Sequence, residues 1–301
     1  MGIKININDK HNVLPLALVG TGVVIFSIGD VIFKILTSLG IFWWDFLVFG
    51  VPFEVLVILL ITGISNNFDK QKCYDELMPR RLFFPILRGF LGIIAIAAIF
   101  MSLKNLPLSL TTMLIQTTPI WMSIIAFFSY QEKPNFITLI SVLLGMIGII
   151  FIVNPSFEGI NKFLIFPIIV AIVNALMNYI ITKRSDDAKP LSYALILFIV
   201  NGLIGLIIWT YFGMQVPSIY QISLIALCGI LGSVAFIFVT YGYSMAKGHF
   251  ARTGVMTYIQ LPSSIILGIL IFNESPTLFA YFGSCLIVLA GIIVINNGKL
   301  K

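Results

Sequence analysis

A few ionisable residues stand in stretches of this chain where water is not expected. Asp30 and Lys34 lie one helical turn apart in the apolar run from 14 to 36. Asp45 and Glu54 lie near the start and middle of the run from 41 to 63, and Arg88 follows the start of the next. An ionised side chain at the centre of a bilayer costs about 2.5–3.5 kcal/mol on insertion scales, so each should face a polar interior or another charge. At i and i+4, Asp30 and Lys34 can neutralise one another. That pair is either structural or a substrate or gate contact, since a charged ligand could displace one partner. Glu54 has no basic residue within two turns on its own helix. Its carboxylate is expected either to hold a proton or a cation, or to pair with Lys34, Arg88 or a polar side chain of another helix. Asp45 is expected at the outer mouth, hydrated. Arg88 lies about 9 Å into its run at roughly 1.5 Å per residue, within reach of the interface by snorkelling.

Uncharged polar residues add a second set. Asn174 and Asn178 share one helix face, Gln116 and Thr117 precede Pro119, and Tyr258 and Gln260 precede Pro262. Each proline removes a backbone donor and is expected to leave a carbonyl, that of Ile115 or Tyr258, without its helical partner. In lipid such a break is tolerated where a cavity or neighbouring helix supplies the partner. Pro119 and Pro262 therefore mark either a midplane binding site or kinks that serve packing. No metal or cofactor is implied. Cys73, Cys228 and Cys285 are widely spaced, and there is no G-x-S-x-G, H-E-x-x-H or P-loop.

The elements that must position these residues follow from composition. Of 301 residues, 59% are hydrophobic and 10% charged, against roughly 25% charged in a soluble domain. A hydrocarbon core of roughly 30 Å needs about 20 apolar residues per helix. Spans are expected at 14–36, 41–63, 82–103, 106–129, 135–153, 163–182, 191–212, 219–243, 251–272 and 277–296, making an all-α integral membrane protein of ten transmembrane helices. With the amino terminus in the cytoplasm, Lys4, Lys10, Lys70, Lys72, Arg80, Arg81, Lys133, Lys183, Arg184, Lys189, Lys247, Arg252, Lys299 and Lys301 lie inside. Only Lys104 and Lys162 lie outside, as the positive-inside rule requires, and both termini are cytoplasmic. The basic residues therefore belong to membrane loops, not to nucleic-acid binding. Abundant isoleucine, asparagine and lysine point to an AT-rich bacterial genome and so to the inner, cytoplasmic membrane.

Compared with itself at a constant offset, the chain pairs Gly89 with Gly232, Lys104 with Lys247, Met113 with Met256 and Pro119 with Pro262. After a one-residue slip, QEKPN around Glu132 meets NESPT around Glu274, and GIIFIVN at 148–154 meets GIIVINN at 291–297. The expected units are residues 1–155 and 156–301, two five-helix repeats. Five being odd, the second copy is inverted, an arrangement common in secondary transporters. Glu132 and Glu274, beside prolines at helix turns, are expected to cap the helix that follows. The glycines at Gly89/Gly92, Gly145/Gly148, Gly202/Gly205 and Gly229/Gly232 are expected to let helices approach.

With D-V-I-F-K at 30–34, R-G-F opening the third span and the paired P-x(n)-E-x-P segments ending spans four and nine, the chain resembles the EamA-type transporters of the drug/metabolite transporter superfamily over essentially its whole length. The resemblance implies export or exchange of small polar metabolites, often proton-coupled. In span two, where many of those relatives carry an arginine, this chain has Asp45 and Glu54, so an anionic substrate is not implied. The expected activity is secondary active, alternating-access transport of zwitterionic or cationic compounds such as amino acids, amines or S-adenosylmethionine, with a small-molecule substrate, protons and the bilayer as partners. A channel or a membrane-embedded enzyme without a recognisable motif is the alternative.

Overall fold

The computed structural model describes residues 7–130, 136–153, 161–212, 216–246 and 250–297. The elements follow the apolar runs. They are α1 (Ile7–Ser38), α2 (Trp43–Ser65), α3 (Lys70–Leu77), α4 (Phe83–Asn105), α5 (Leu108–Ile115), α6 (Thr118–Tyr130), α7 (Phe136–Val153), α8 (Ile165–Lys183), α9 (Pro190–Phe212), α10 (Ile219–Ser244), α11 (Phe250–Gly254), α12 (Gln260–Phe272) and α13 (Leu278–Asn297). No strand occurs among the described residues. Seven helical stretches are long and apolar enough to cross a membrane, and Leu143–Ile152, Met256–Phe272 and Leu278–Ala290 are shorter apolar helices. α3 was not expected. It is polar, is capped by Asp69, which accepts from the Gln71 and Lys72 amides, and has no buried residue.

Two of the expected spans are broken. Between α5 and α6 the helix stops at Gln116 and restarts at Thr118, which places Pro119 in the first turn of α6, where its missing N–H costs nothing. The Ile115 carbonyl is not left empty, because the Thr118 hydroxyl donates to it at 2.6 Å. Between α11 and α12 the chain runs through a 3-10 turn, Val255–Ile259, and the Gln260 amide reaches the Thr257 and Tyr258 carbonyls. Local side-chain and 3-10 bonds thus supply what each proline removes.

The helices pair across the midpoint of the chain. α1 packs along α10, α2 lies against α9 and α10, α4 against α8 and α9, α5 and α6 against α8, α12 against α1, and α7 against α13. Exchanging each helix for its sequence-repeat counterpart turns the α1–α10 contact into α8–α4 and the α2–α10 contact into α9–α4. The packing is the same seen from either half. Small residues make the closest approaches. A Cβ on Gly148 would meet the Gly283 carbonyl at 2.7 Å, and one on Gly283 would meet the Gly148 carbonyl at 2.5 Å, so α7 and α13 touch backbone to backbone.

Candidate functional site

α1, α2, α4, α8, α9 and α10, with both broken helices, enclose a cavity of about 210 Å³. Its wall is mainly apolar, with Phe26, Phe33, Phe46, Phe198 and Phe236 prominent, and two carboxylates enter it, Asp30 from α1 and Glu54 from α2. No Lys or Arg is among the lining residues.

Glu54 is buried at 5% exposure. Among the described residues no ion pair or hydrogen bond reaches its carboxylate. Its stem passes over Gly229 of α10, where a Cβ would lie 3.5 Å from the Glu54 Cγ. Neither Lys34 nor Arg88 pairs with it. Asp30 accepts a hydrogen bond from Gln260 Nε2 at 2.8 Å, and Gln260 Oε1 accepts from Gln116 Nε2 at 2.7 Å. The two glutamines stand just ahead of Pro119 and Pro262, three residues before the first and two before the second, so one relay joins both broken helices to α1. Cys228 of α10 lies within electrostatic reach of both carboxylates and directs its thiol to the Gly29 carbonyl.

Of the residues singled out in the sequence, Asp30, Glu54, Gln116, Asn174, Asn178 and Gln260 line this cavity; Lys34, Asp45 and Tyr258 do not. The expected Asp30–Lys34 ion pair is replaced by separate partners. Lys34 turns to Glu274, with its ammonium also 4.6 Å from the Phe272 ring centre, while Asp30 turns inward to Gln260. Asp45 is no hydrated mouth residue. It is buried and accepts from the Phe42 amide at 2.9 Å, reaching back from the first turn of α2 to the N-cap backbone. Tyr258 packs among Leu106, Met113, Leu114 and Ile287. The 3-10 geometry explains why: residues three apart eclipse, so Thr257 and Gln260 face the cavity together while Tyr258 is turned away.

Arg88 does not snorkel. It is fully buried, stacks 4.3 Å from the Phe236 ring centre and donates one bond, to Thr240 at 3.3 Å, leaving Nε and Nη1 unpartnered. The lining also includes residues that the sequence reading passed over, Asn201, Thr118, Thr257 and Tyr243 among them. Nothing in a single apolar run distinguishes Asn201 from any other asparagine; only the packing of α9 against α4 does.

At the face carrying the α1–α2 turn, Glu274 of the second half gathers donors from the first. Lys34 Nζ, the Leu108 amide, the Ser109 amide at 2.8 Å and the Ser109 hydroxyl at 2.6 Å all point to its carboxylate. The N-cap of α5 is Pro107, which has no side-chain acceptor, so a carboxylate from the other half supplies the cap and complements the helix dipole. Asn273 in the left-handed conformation (φ 52°) ends α12 and turns Glu274 back, and Gly268 makes room for it: a Cβ there would lie 2.7 Å from Oε2. The expectation that Glu274 caps the next helix is thus corrected to a cap on α5, and Glu132 lies outside the described residues.

The EamA-like transporter family matches residues 14–154 and 161–297, each half once. The chain belongs to the EamA-like transporter family. EamA-like proteins are membrane transporters of the drug/metabolite transporter superfamily, so this is a multi-pass membrane protein whose family moves small molecules through the lipid bilayer. A solved crystal structure superposes with a TM-score of 0.68 over 95% of this chain and 97% of that one, at 13% identity, a likeness of fold alone. No match is found among curated proteins.

Proposed function

We propose that this EamA-like protein is a secondary active carrier that moves small cationic or zwitterionic metabolites by alternating access, with Glu54 as the coupling carboxylate. The observation that carries the reading is Glu54 itself, a buried carboxylate without a partner among the described residues, in a cavity whose described lining holds no Lys or Arg. Such a group in low dielectric must be neutralised by a proton or by a bound cation, and exchanging one for the other is the elementary step of coupled transport. The reading includes ten crossings, two inverted five-helix units at 1–155 and 156–301, and an inner-membrane location with both termini in the cytoplasm. The exchange-symmetric helix packing supports the inversion, and the broken helices meeting at Gln116 and Gln260 support a site between the halves. Amines, amino acids and S-adenosylmethionine fit the acidic, aromatic wall through carboxylate and cation–π contacts.

The test is counterflow. Purified protein in liposomes loaded with unlabelled amine or amino acid should accumulate the labelled compound transiently. A channel dissipates a gradient without that overshoot, and an enzyme changes the compound chemically; either result removes the proposal.

A further inference from the structure

Asn201 of α9 is fully buried, lines the cavity, and among the described residues has no hydrogen-bond partner for either Nδ2 or Oδ1. Its amide lies over Gly92 of α4, where a Cβ would stand 3.3 Å from both amide atoms. Gln116, on the same cavity wall, spends its Nε2 on Gln260 and keeps Oε1 unpartnered. Glu54 adds a carboxylate without a partner, and Asp30 a second carboxylate whose Oδ2 alone receives a donor, Gln260. A buried amide with nothing to bond costs stability unless a ligand completes it. Three unpartnered polar groups on one cavity are therefore a description of the missing molecule.

Counting what they offer identifies its head. Acceptors dominate: the Glu54 carboxylate, Gln116 Oε1 and Asn201 Oδ1. Those acceptors fit an ammonium group, which brings three donors and no acceptor. Asn201 Nδ2 is a donor of the same amide, and it can be completed only by an acceptor oxygen next to the ammonium. A second negative charge is disfavoured there, because the two carboxylates face the cavity and Arg88 stands behind Phe236, outside the lining.

Resting on the carrier reading above, we propose that Asn201, with Gln116 and Glu54, is a headgroup clamp that selects organic ammonium ions carrying a neutral oxygen beside the charge on an apolar body. Glu54 and the amide oxygens hold the ammonium, Asn201 Nδ2 donates to the neighbouring hydroxyl or carbonyl oxygen, and the phenylalanine walls receive the apolar body. Asn201 sets specificity, since a site built to bond a ligand oxygen discriminates against ligands that lack it.

Four probes with one shared phenyl ring test this on the purified full-length protein: phenylalaninol, phenethylamine, phenylalanine and phenylacetate. Affinity is read by ligand-induced thermal shift, and translocation by counterflow in liposomes. The expected order is phenylalaninol above phenethylamine, then phenylalanine, then phenylacetate. In Asn201→Ala, phenylalaninol should lose about tenfold in affinity and fall level with phenethylamine, which itself changes by less than about threefold. Gly92→Ala, whose Cβ would stand 3.3 Å from both amide atoms and displace them, should narrow the same gap and serves if Asn201→Ala does not fold. Equal losses for both amines would make Asn201 a packing residue and overturn the proposal. So would tighter binding of phenylalanine or phenylacetate than of the amines, or no binding of either amine. If the amines bind in the expected order without counterflow, the carrier reading falls and the clamp stands.

Discussion

Lys34 and Glu274, 240 residues apart in sequence, form an ion pair that ties α1 to the turn after α12, with the first amides of α5 bonded to the same carboxylate. One side chain thereby fastens the two halves at the face of the α1–α2 turn. Glu274→Gln removes the charge that Lys34 and the α5 dipole face, and should destabilise the protein by about 1–3 kcal/mol. Gly268→Ala, whose Cβ would crowd Oε2, should lower the melting temperature in the same direction. Thermal unfolding of both variants in detergent checks this; an unchanged melting temperature in both would show that the contact contributes nothing.

The pH dependence of that contact has a definite sign. Partial burial pushes the Glu274 pKa up, but the bonds from Lys34, Ser109 and Leu108 outweigh it and hold the group below its ordinary 4.5. A depressed folded value means the stabilisation is fully present above about pH 4.5 and is lost as pH falls through the lower folded value. The melting-temperature gap between wild type and Glu274→Gln should therefore be constant from pH 6 to 8 and shrink only in acid. A gap that shrinks near neutrality would contradict the assignment.

Glu54→Gln separates coupling from folding. Replacing a partnerless buried carboxylate by a neutral isostere should raise or preserve the melting temperature, should abolish uptake driven by a proton gradient, and should leave counterflow of an ammonium substrate only at higher substrate concentration, because the same carboxylate holds the ammonium. Undiminished gradient-driven uptake would sink the coupling role.

Gly29 and Gly232 line the cavity, and a Cβ built on either meets nothing within 4 Å. Alanine at these helical positions should stabilise by roughly 0.5–1 kcal/mol. It should also place a methyl group in the binding space, so transport should show a raised KM, strongest for the bulkiest substrate. Stability and affinity moving in opposite directions is the signature; a joint fall would show a structural effect instead.

Gln260→Leu breaks both links of the Gln116–Gln260–Asp30 relay, whereas Gln116→Leu breaks one. The first should cost roughly 2–4 kcal/mol and the second roughly 1–2, with the double variant less than additive because they share a bond. Denaturant unfolding of the three variants measures the coupling.

The seven long apolar helices and the breaks were legible because each rests on local chemistry, apolar length for the former and proline at 119 and 262 for the latter, whereas the other three expected spans are shorter helices. Glu54 in the wall of a cavity followed from its isolation on its own helix. Partner choice did not follow, because Lys34 had an acid one turn away and a better-solvated, four-donor site for its counterion across the fold. A pair at i and i+4 is the nearest solution, and tertiary structure offered another. Asp45 and Arg88 misled for a related reason, since distance from a helix end says nothing about which side of the helix the rest of the bundle covers. Asn201 was hidden because its meaning comes from Gly92 on a different helix.

The contact between Gly148 and Gly283 has a mechanical consequence. Beside each bare peptide sits an isoleucine of the opposite helix, Ile287 at Gly148 and Ile152 at Gly283, each 2.8 Å from where a Cβ would stand, so neither ridge can slip without lifting a side chain out of its socket. α7 and α13 therefore form one stiff two-helix strut. Gly283→Ala should wedge it apart and lower the melting temperature, which thermal unfolding in detergent measures.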